Sequence, residues 1–326
     1  MNSNMNSAVA LTPAQKLAEK IRSVRRERVA VVGFITAGFP SKETFGRDLT
    51  ELAAEADVVE IGVPFTDPMA DGVTVQRASF AALQQGVTLH WIIDTLRTLP
   101  KVNAELLFMG YYNPMLAYGL QKLAADAATV GITGFIVPDL PMEESASFEQ
   151  ALAPHGLALI RMVTPVTPQT RLEQLCRSAQ GFVYAVSMTG TTGRSVGNGA
   201  GVPQETLDYL DRVRKLASVP VCVGFGIRER AQVAALAPHV DGVVIASATI
   251  EAVERGESAV ALLRKLRTKM KIRALAVDLD AIAARIEQMS GRRVQQVVES
   301  LMRARPGQKA AAKKSVAARK RAKPVA

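Results

Sequence analysis

Eight short runs rich in apolar and β-branched residues recur along this chain, and their spacing constrains the fold more than any other feature. They fall at 30–36, 57–63, 105–111, 132–138, 156–163, 181–187, 219–225 and 240–246. Several are almost continuously hydrophobic (VVGFI, GFIV, VPVCVGF, GVVIA), as expected of strands buried on both faces of a parallel sheet. Stretches with helical periodicity lie between them, at 120–130, 148–153, 170–179 and 206–216 among others. Strands alternating with helices imply βα units. Eight units within about 220 residues favour a closed barrel, since an open sheet would leave edges to cover. The expected fold is α/β: a single (β/α)8 TIM barrel over residues 13–272, after a flexible N-terminus at 1–12.

Thr12-Pro13-Ala14-Gln15 reads as a helix start, with Thr12 capping, Pro13 at the first helical position and Gln15 completing a capping box. Leu17, Ile21 and Val24 then share a face, as a helix closing the bottom of a barrel requires. Past the barrel, Leu279, Ile282, Ile286 and Met289, then Val294, Val297, Val298 and Leu301, predict a helical extension over 273–302. Residues 303–326 hold 9 of the 40 Lys and Arg and no acid, so the net charge of +10 belongs mainly to a tail, expected to be disordered. The rest of the chain is nearly neutral. Clustered basic residues attract nucleic-acid phosphates, but a solvated tail is the plainer expectation. Cys176 and Cys222 suggest no disulfide framework, and His90, His155 and His239 share no metal-ligand spacing. With no apolar run long enough to cross a bilayer and no signal-peptide pattern, the expected location is the cytoplasm, with no membrane contact.

In a barrel of this type, chemistry belongs at the C-terminal ends of the strands. Glu60 lies inside an apolar strand, where an ionised carboxylate is costly unless paired. Burial favours its protonated form, which suits a group that gives and takes a proton. The alternative is a structural bond to a neighbouring backbone group or arginine. Asp71 follows in a proline-stiffened loop able to fold back over the mouth, or simply to make a turn. Gly226 and Ser247, at the ends of the seventh and eighth runs, suit a phosphate site built from backbone amides and a helix N-terminus. Trp91 and the Tyr111-Tyr112 pair read as packing residues. No nucleophile elbow, P-loop or metal motif is present.

Residues 59–72 (VEIGVPFTDPMADG) resemble the characteristic segment of the tryptophan synthase alpha chain family. ITAGFP at 35–40, PDLP at 138–141 with Glu143 and Glu144, GTTG at 190–193 and GFG at 224–226 match that family in order, over roughly residues 13–270. The resemblance implies retro-aldol cleavage of indole-3-glycerol phosphate to indole and glyceraldehyde 3-phosphate, with no cofactor in this chain. Glu60 would protonate indole C3 and then take the proton of the neighbouring glycerol hydroxyl, while Asp71 binds the indole N–H. Tyr184 would line the site, Thr192 would help close it, and Gly193, Gly226, Ala246 and Ser247 would hold the phosphate. The implied partner is the pyridoxal-phosphate beta chain in an alpha2beta2 tetramer, met near Asp67, Pro68, Asn113, Asp139 and Pro141. Ala246 stands where the family usually has glycine, Met188-Thr189 replaces a more polar loop start, and residues beyond 270 have no usual counterpart. Two other assignments use the same residues: a regulatory subunit that binds the phosphate compound without cleaving it, and a free-standing lyase.

Overall fold

The structure, a computed structural model, describes residues 10–187, 201–224 and 226–267. Nine parallel strands form one sheet: β1 (Ala30–Thr36), β2 (Val58–Gly62), β3 (Glu105–Met109), β4 (Ile132–Ile136), β5 (Ala158–Leu159), β6 (Arg161–Val163), β7 (Val183–Val186), β8 (Val221–Gly224) and β9 (Gly242–Ile245). Neighbours run β5-β4-β3-β2-β1-β9-β8-β7-β6. β5 and β6 are halves of one extended segment parted by Ile160 alone, so the sheet closes on itself as a barrel. The Ile160 amide donates to Phe135 O of β4 at 2.8 Å; from Arg161 onward the pairing passes to β7. Each of the eight expected runs contains strand, and most are trimmed at the ends because those residues enter the connecting loops. The expected helical extension and basic tail lie outside the described residues. Among the described residues no helix is long and apolar enough to cross a membrane.

Period-two alternation sorts each strand into two environments. Val31, Val59, Ile61, Phe108, Phe135 and Val243 belong to the large core between barrel and helices. Ala30, Val32, Val58, Leu107, Ile136 and Val244 fill the barrel itself, together with Leu17 and Ile21 of the helix Pro13–Arg25. That helix is the predicted plug. Its capping box is formed, with the Gln15 amide donating to Thr12 Oγ1 at 3.2 Å and the Thr12 amide donating to Gln15 Oε1 at 2.9 Å. Leu17 and Ile21 have no exposed surface, and burying each contributes roughly 1.5–3 kcal/mol.

Basic side chains finish the seal. Lys20 donates to Asn103 O, Arg22 to Ser218 O, and Arg25 to Val240 O and Ala237 O, tying the helix to carbonyls around the barrel base. Asp57, just before β2, accepts both Arg28 guanidinium nitrogens (2.6 and 2.7 Å) and the Val31 amide (2.8 Å). The N-terminal face is thus committed to holding the barrel shut, which leaves the opposite face for a ligand.

Candidate active site

Glu60 is the third residue of β2 and shares the inward face with Val58. Its neighbours in register are Phe34 on β1 and Leu107 on β3. It has no exposed surface, and neither carboxylate oxygen has a hydrogen-bond partner. The structural alternative, a bond to backbone or arginine, is therefore not realised. Burial alone pushes the carboxyl up to about 8, so it carries its proton at neutral pH.

Asp71 lies in the loop between β2 and the helix Val73–Gln84, and it is only partly buried. The loop folds over the barrel mouth and is pinned at several points. The Ala70 amide donates to Tyr111 Oη at 2.9 Å, and Gln76 Nε2 donates to Asp71 O at 2.8 Å. The Phe65 and Tyr111 rings stack at 5.2 Å. Burial raises the Asp71 pKa, and a hydrogen bond from Tyr111 acts in the opposite direction. Tyr111 was expected to be a packing residue, and its ring is indeed buried, but its hydroxyl serves the Asp71 loop. Its position just past the end of β3, where barrel site residues gather, is the signal that would have found it.

Asp71, Tyr184, Gly226, Ala246 and Ser247 line one cavity at the C-terminal end of the barrel. Tyr184, on β7, has its pKa raised well above the ordinary tyrosine value, first by burial and then by the fields of Glu60, Cys222 and Asp71. Its hydroxyl occupies the space beside Gly224, where an added Cβ would come within 2.7 Å of it. Glu60 does not line the cavity; it lies buried on the inward face of β2.

Gly226 and the start of a helix line the far end of the cavity. Gly226 adopts φ +62°, a left-handed backbone that favours glycine. Ser247 and Ala248 begin the helix Ser247–Glu254; the Thr249 and Ile250 amides already bond Ala246 O, and those of Ser247 and Ala248 precede the helix's own ladder. Thr249 Oγ1 fixes that helix by donating to Phe34 O at 2.9 Å. Ala246 sits at φ −108°, a value open to any L residue, so alanine fits here without backbone strain.

Thr192 and Gly193 lie outside the described residues. Asp67 and Asn113 are exposed, as is Pro141, while Pro68 is partly buried. Asp139 is also partly buried, and its carboxylate accepts the Tyr112 amide at 2.9 Å, anchoring the start of the helix Tyr112–Tyr118. Thr36 was not singled out from the sequence. It ends β1 on the inward face with a buried hydroxyl that has no partner.

A closed parallel barrel with a protonated acid under its C-terminal mouth, and a cavity that runs from Asp71 to a helix N-terminus, places the chain among the (β/α)8-barrel lyases. Residues 21–277 match the family model described as tryptophan synthase alpha chain, and this chain belongs to that family. The alpha chain of Solidesulfovibrio magneticus is 45% identical over 242 residues, covering 74% of this chain and 93% of that protein. That of Nitratidesulfovibrio vulgaris strain DP4 is 42% identical over 254 residues, covering 77% and 97%. Among solved structures, a Mycobacterium tuberculosis tryptophan synthase superposes with a TM-score of 0.71 at 32% identity, covering 79% of this chain and 97% of that one.

Proposed function

We propose that this chain cleaves indole-3-glycerol phosphate into indole and glyceraldehyde 3-phosphate, with Glu60 and Asp71 as its catalytic residues. The observation that carries this reading is the state of Glu60: buried, unpartnered and protonated at neutral pH beneath a cavity that runs from Asp71 to a helix N-terminus. The bond between indole C3 and the glycerol side chain does not break while indole would leave as a carbanion. Glu60 gives its proton to C3, and the ring nitrogen becomes positive opposite Asp71. The Glu60 carboxylate then takes the proton of the hydroxyl on the adjoining glycerol carbon. The carbon–carbon bond breaks, its electrons restore the aromatic ring, and the aldehyde leaves with Glu60 protonated again.

Tyr184 walls the ring pocket, Gly193, Gly226, Ala246 and Ser247 hold the phosphate, and Thr192 helps close the site over the substrate. The proton inventory closes on Glu60, with Asp71 supplying fixed charge, so the chain requires no cofactor of its own; pyridoxal phosphate belongs to the beta partner. The family implies a beta-chain partner. We place its contact at Asp67, Pro68, Asn113, Asp139 and Pro141 in a cytoplasmic alpha2beta2 tetramer, with the basic tail solvated and free of nucleic acid.

The test is indole formation from indole-3-glycerol phosphate, with and without a beta chain. Slow release by the isolated chain, accelerated by the partner, is the expected result. Substrate binding without indole in either mixture would make the chain a regulatory subunit, and full turnover without a partner would make it a free-standing lyase.

Tyr111→Phe is expected to lower turnover about tenfold, the scale of one lost hydrogen bond to a charged group. Because that bond lowers the Asp71 pKa, the acidic limb of the pH–rate profile should move to higher pH. An unshifted limb would confine Tyr111 to packing.

A further inference from the structure

Arg228 is the only cation among the described residues that line the cavity. It lies two residues past Gly226, just before the helix Arg230–Leu236. Its backbone amide donates to Gln232 Oε1 at 2.9 Å, which fixes where the side chain departs. Both terminal guanidinium nitrogens bond Glu251, Nη2 to Oε1 at 2.8 Å and Nη1 to Oε2. Glu251 stands one turn after Ser247 on the helix Ser247–Glu254, and Thr74 Oγ1 donates to it at 3.3 Å. The ion pair therefore holds the guanidinium beside the helix end that lines the cavity.

A guanidinium has five N–H donors, and the pair with Glu251 uses two, leaving three. The Arg228 side chain keeps 44% of its surface exposed, so those donors are open at the cavity mouth and not sealed in a strap. The charge balance makes them consequential. A phosphate monoester brings about −1.5 to −2 at pH 7, whereas a helix N-terminus supplies roughly +0.5. The other ionisable groups at the cavity, Asp71 and Tyr184 on its wall and Glu60 beneath it, are acids. Backbone amides alone leave a dianion undercompensated.

We propose that Arg228 is a specificity-determining residue that binds the substrate's phosphate through its free N–H groups while Glu251 holds it in place. This rests on the phosphate reading of the cavity made above. It explains how the site selects a phosphorylated substrate over its unphosphorylated counterpart.

The experiment compares the full chain with Arg228→Gln, Arg228→Lys and Glu251→Gln. It measures kcat and KM for indole-3-glycerol phosphate, inhibition by glycerol 3-phosphate, and binding of indole as the neutral half. Arg228→Gln is expected to raise KM and the glycerol 3-phosphate inhibition constant together, about ten- to a hundredfold. Its kcat should stay within about threefold and its indole binding should not change; Arg228→Lys should fall between it and the parent. Glu251→Gln keeps an amide oxygen that accepts one guanidinium N–H and removes a negative charge next to the dianion, so it is expected to weaken glycerol 3-phosphate binding far less than Arg228→Gln does. A merely structural strap would make Arg228→Gln and Glu251→Gln behave alike, and that result, or an unchanged KM in Arg228→Gln, overturns the proposal. An inactive parent whose glycerol 3-phosphate binding still depends on Arg228 would instead overturn the assigned reaction and leave this inference standing.

Discussion

Glu60→Gln is expected to cut indole formation by at least about a thousandfold while the barrel stays folded. General acid–base catalysis typically contributes about 10²–10⁴-fold, and here one side chain supplies both the acid and the base. Glutamine keeps the shape and removes the proton. In the parent, the acid form of Glu60 is the active one and titrates at about 8, so kcat/KM should be level at neutral pH and fall above that value. Stability separates this role from a structural one. A carboxyl whose folded pKa is raised contributes its full share below the unfolded value, about 4.3, and loses it as pH rises towards the folded value. The parent therefore loses on the order of several kcal/mol of stability between pH 5 and 8 that the variant does not lose. Melting curves at pH 5 and pH 8 should show the variant gaining on the parent. A variant within tenfold of parental turnover would remove Glu60 from the chemistry.

Asp71→Asn is expected to lower kcat by about 10²–10³-fold, the range for losing one preorganised group that meets developing charge. Asparagine still accepts a hydrogen bond from an indole N–H but has no negative charge to oppose the positive ring. The loop should stay in place, because its pins are the Ala70 amide on Tyr111, the Gln76 side chain on the Asp71 carbonyl, and the Phe65–Tyr111 stack. None of these uses the Asp71 carboxylate, and asparagine keeps a side-chain oxygen to accept the Tyr111 hydroxyl. Burial raises the Asp71 pKa, so a neutral side chain relieves a cost at neutral pH, and the melting temperature should hold or rise. A fall in melting temperature matching the fall in rate would mark Asp71 as a structural turn residue.

The barrel was legible because its evidence is local. Strands buried on two faces must be apolar along their length, and Thr12, Pro13 and Gln15 define a helix start from their own chemistry. Strand ends then directed attention to Asp71, Gly226 and Ser247, the family resemblance added Tyr184 and Ala246, and the fold brings all five to one cavity. What escaped depends on depth or on distance along the chain. The apolar setting of Glu60 was plain, but not that it lies below the cavity floor with both oxygens unpartnered. Tyr111 looked like a packing ring because nothing local shows that its hydroxyl meets an amide 41 residues earlier. Nothing local marks Arg228 as a site residue, and Glu251, 23 residues on, is what holds its guanidinium. The break at Ile160 is equally hidden, since it arises from a change of hydrogen-bonding neighbour within one apolar run.

The plug at the barrel base also carries a consequence for biosynthesis. The carbonyls that receive Lys20, Arg22 and Arg25 lie 83, 196, 212 and 215 positions further on. A helix made early in synthesis is thus among the last to find all its acceptors, and long-range closure of this kind is slow. Until the final strands emerge, a nascent chain keeps Leu17 and Ile21 without their barrel. Premature termination upstream of position 237 would leave the base uncorked, a clear target for quality control.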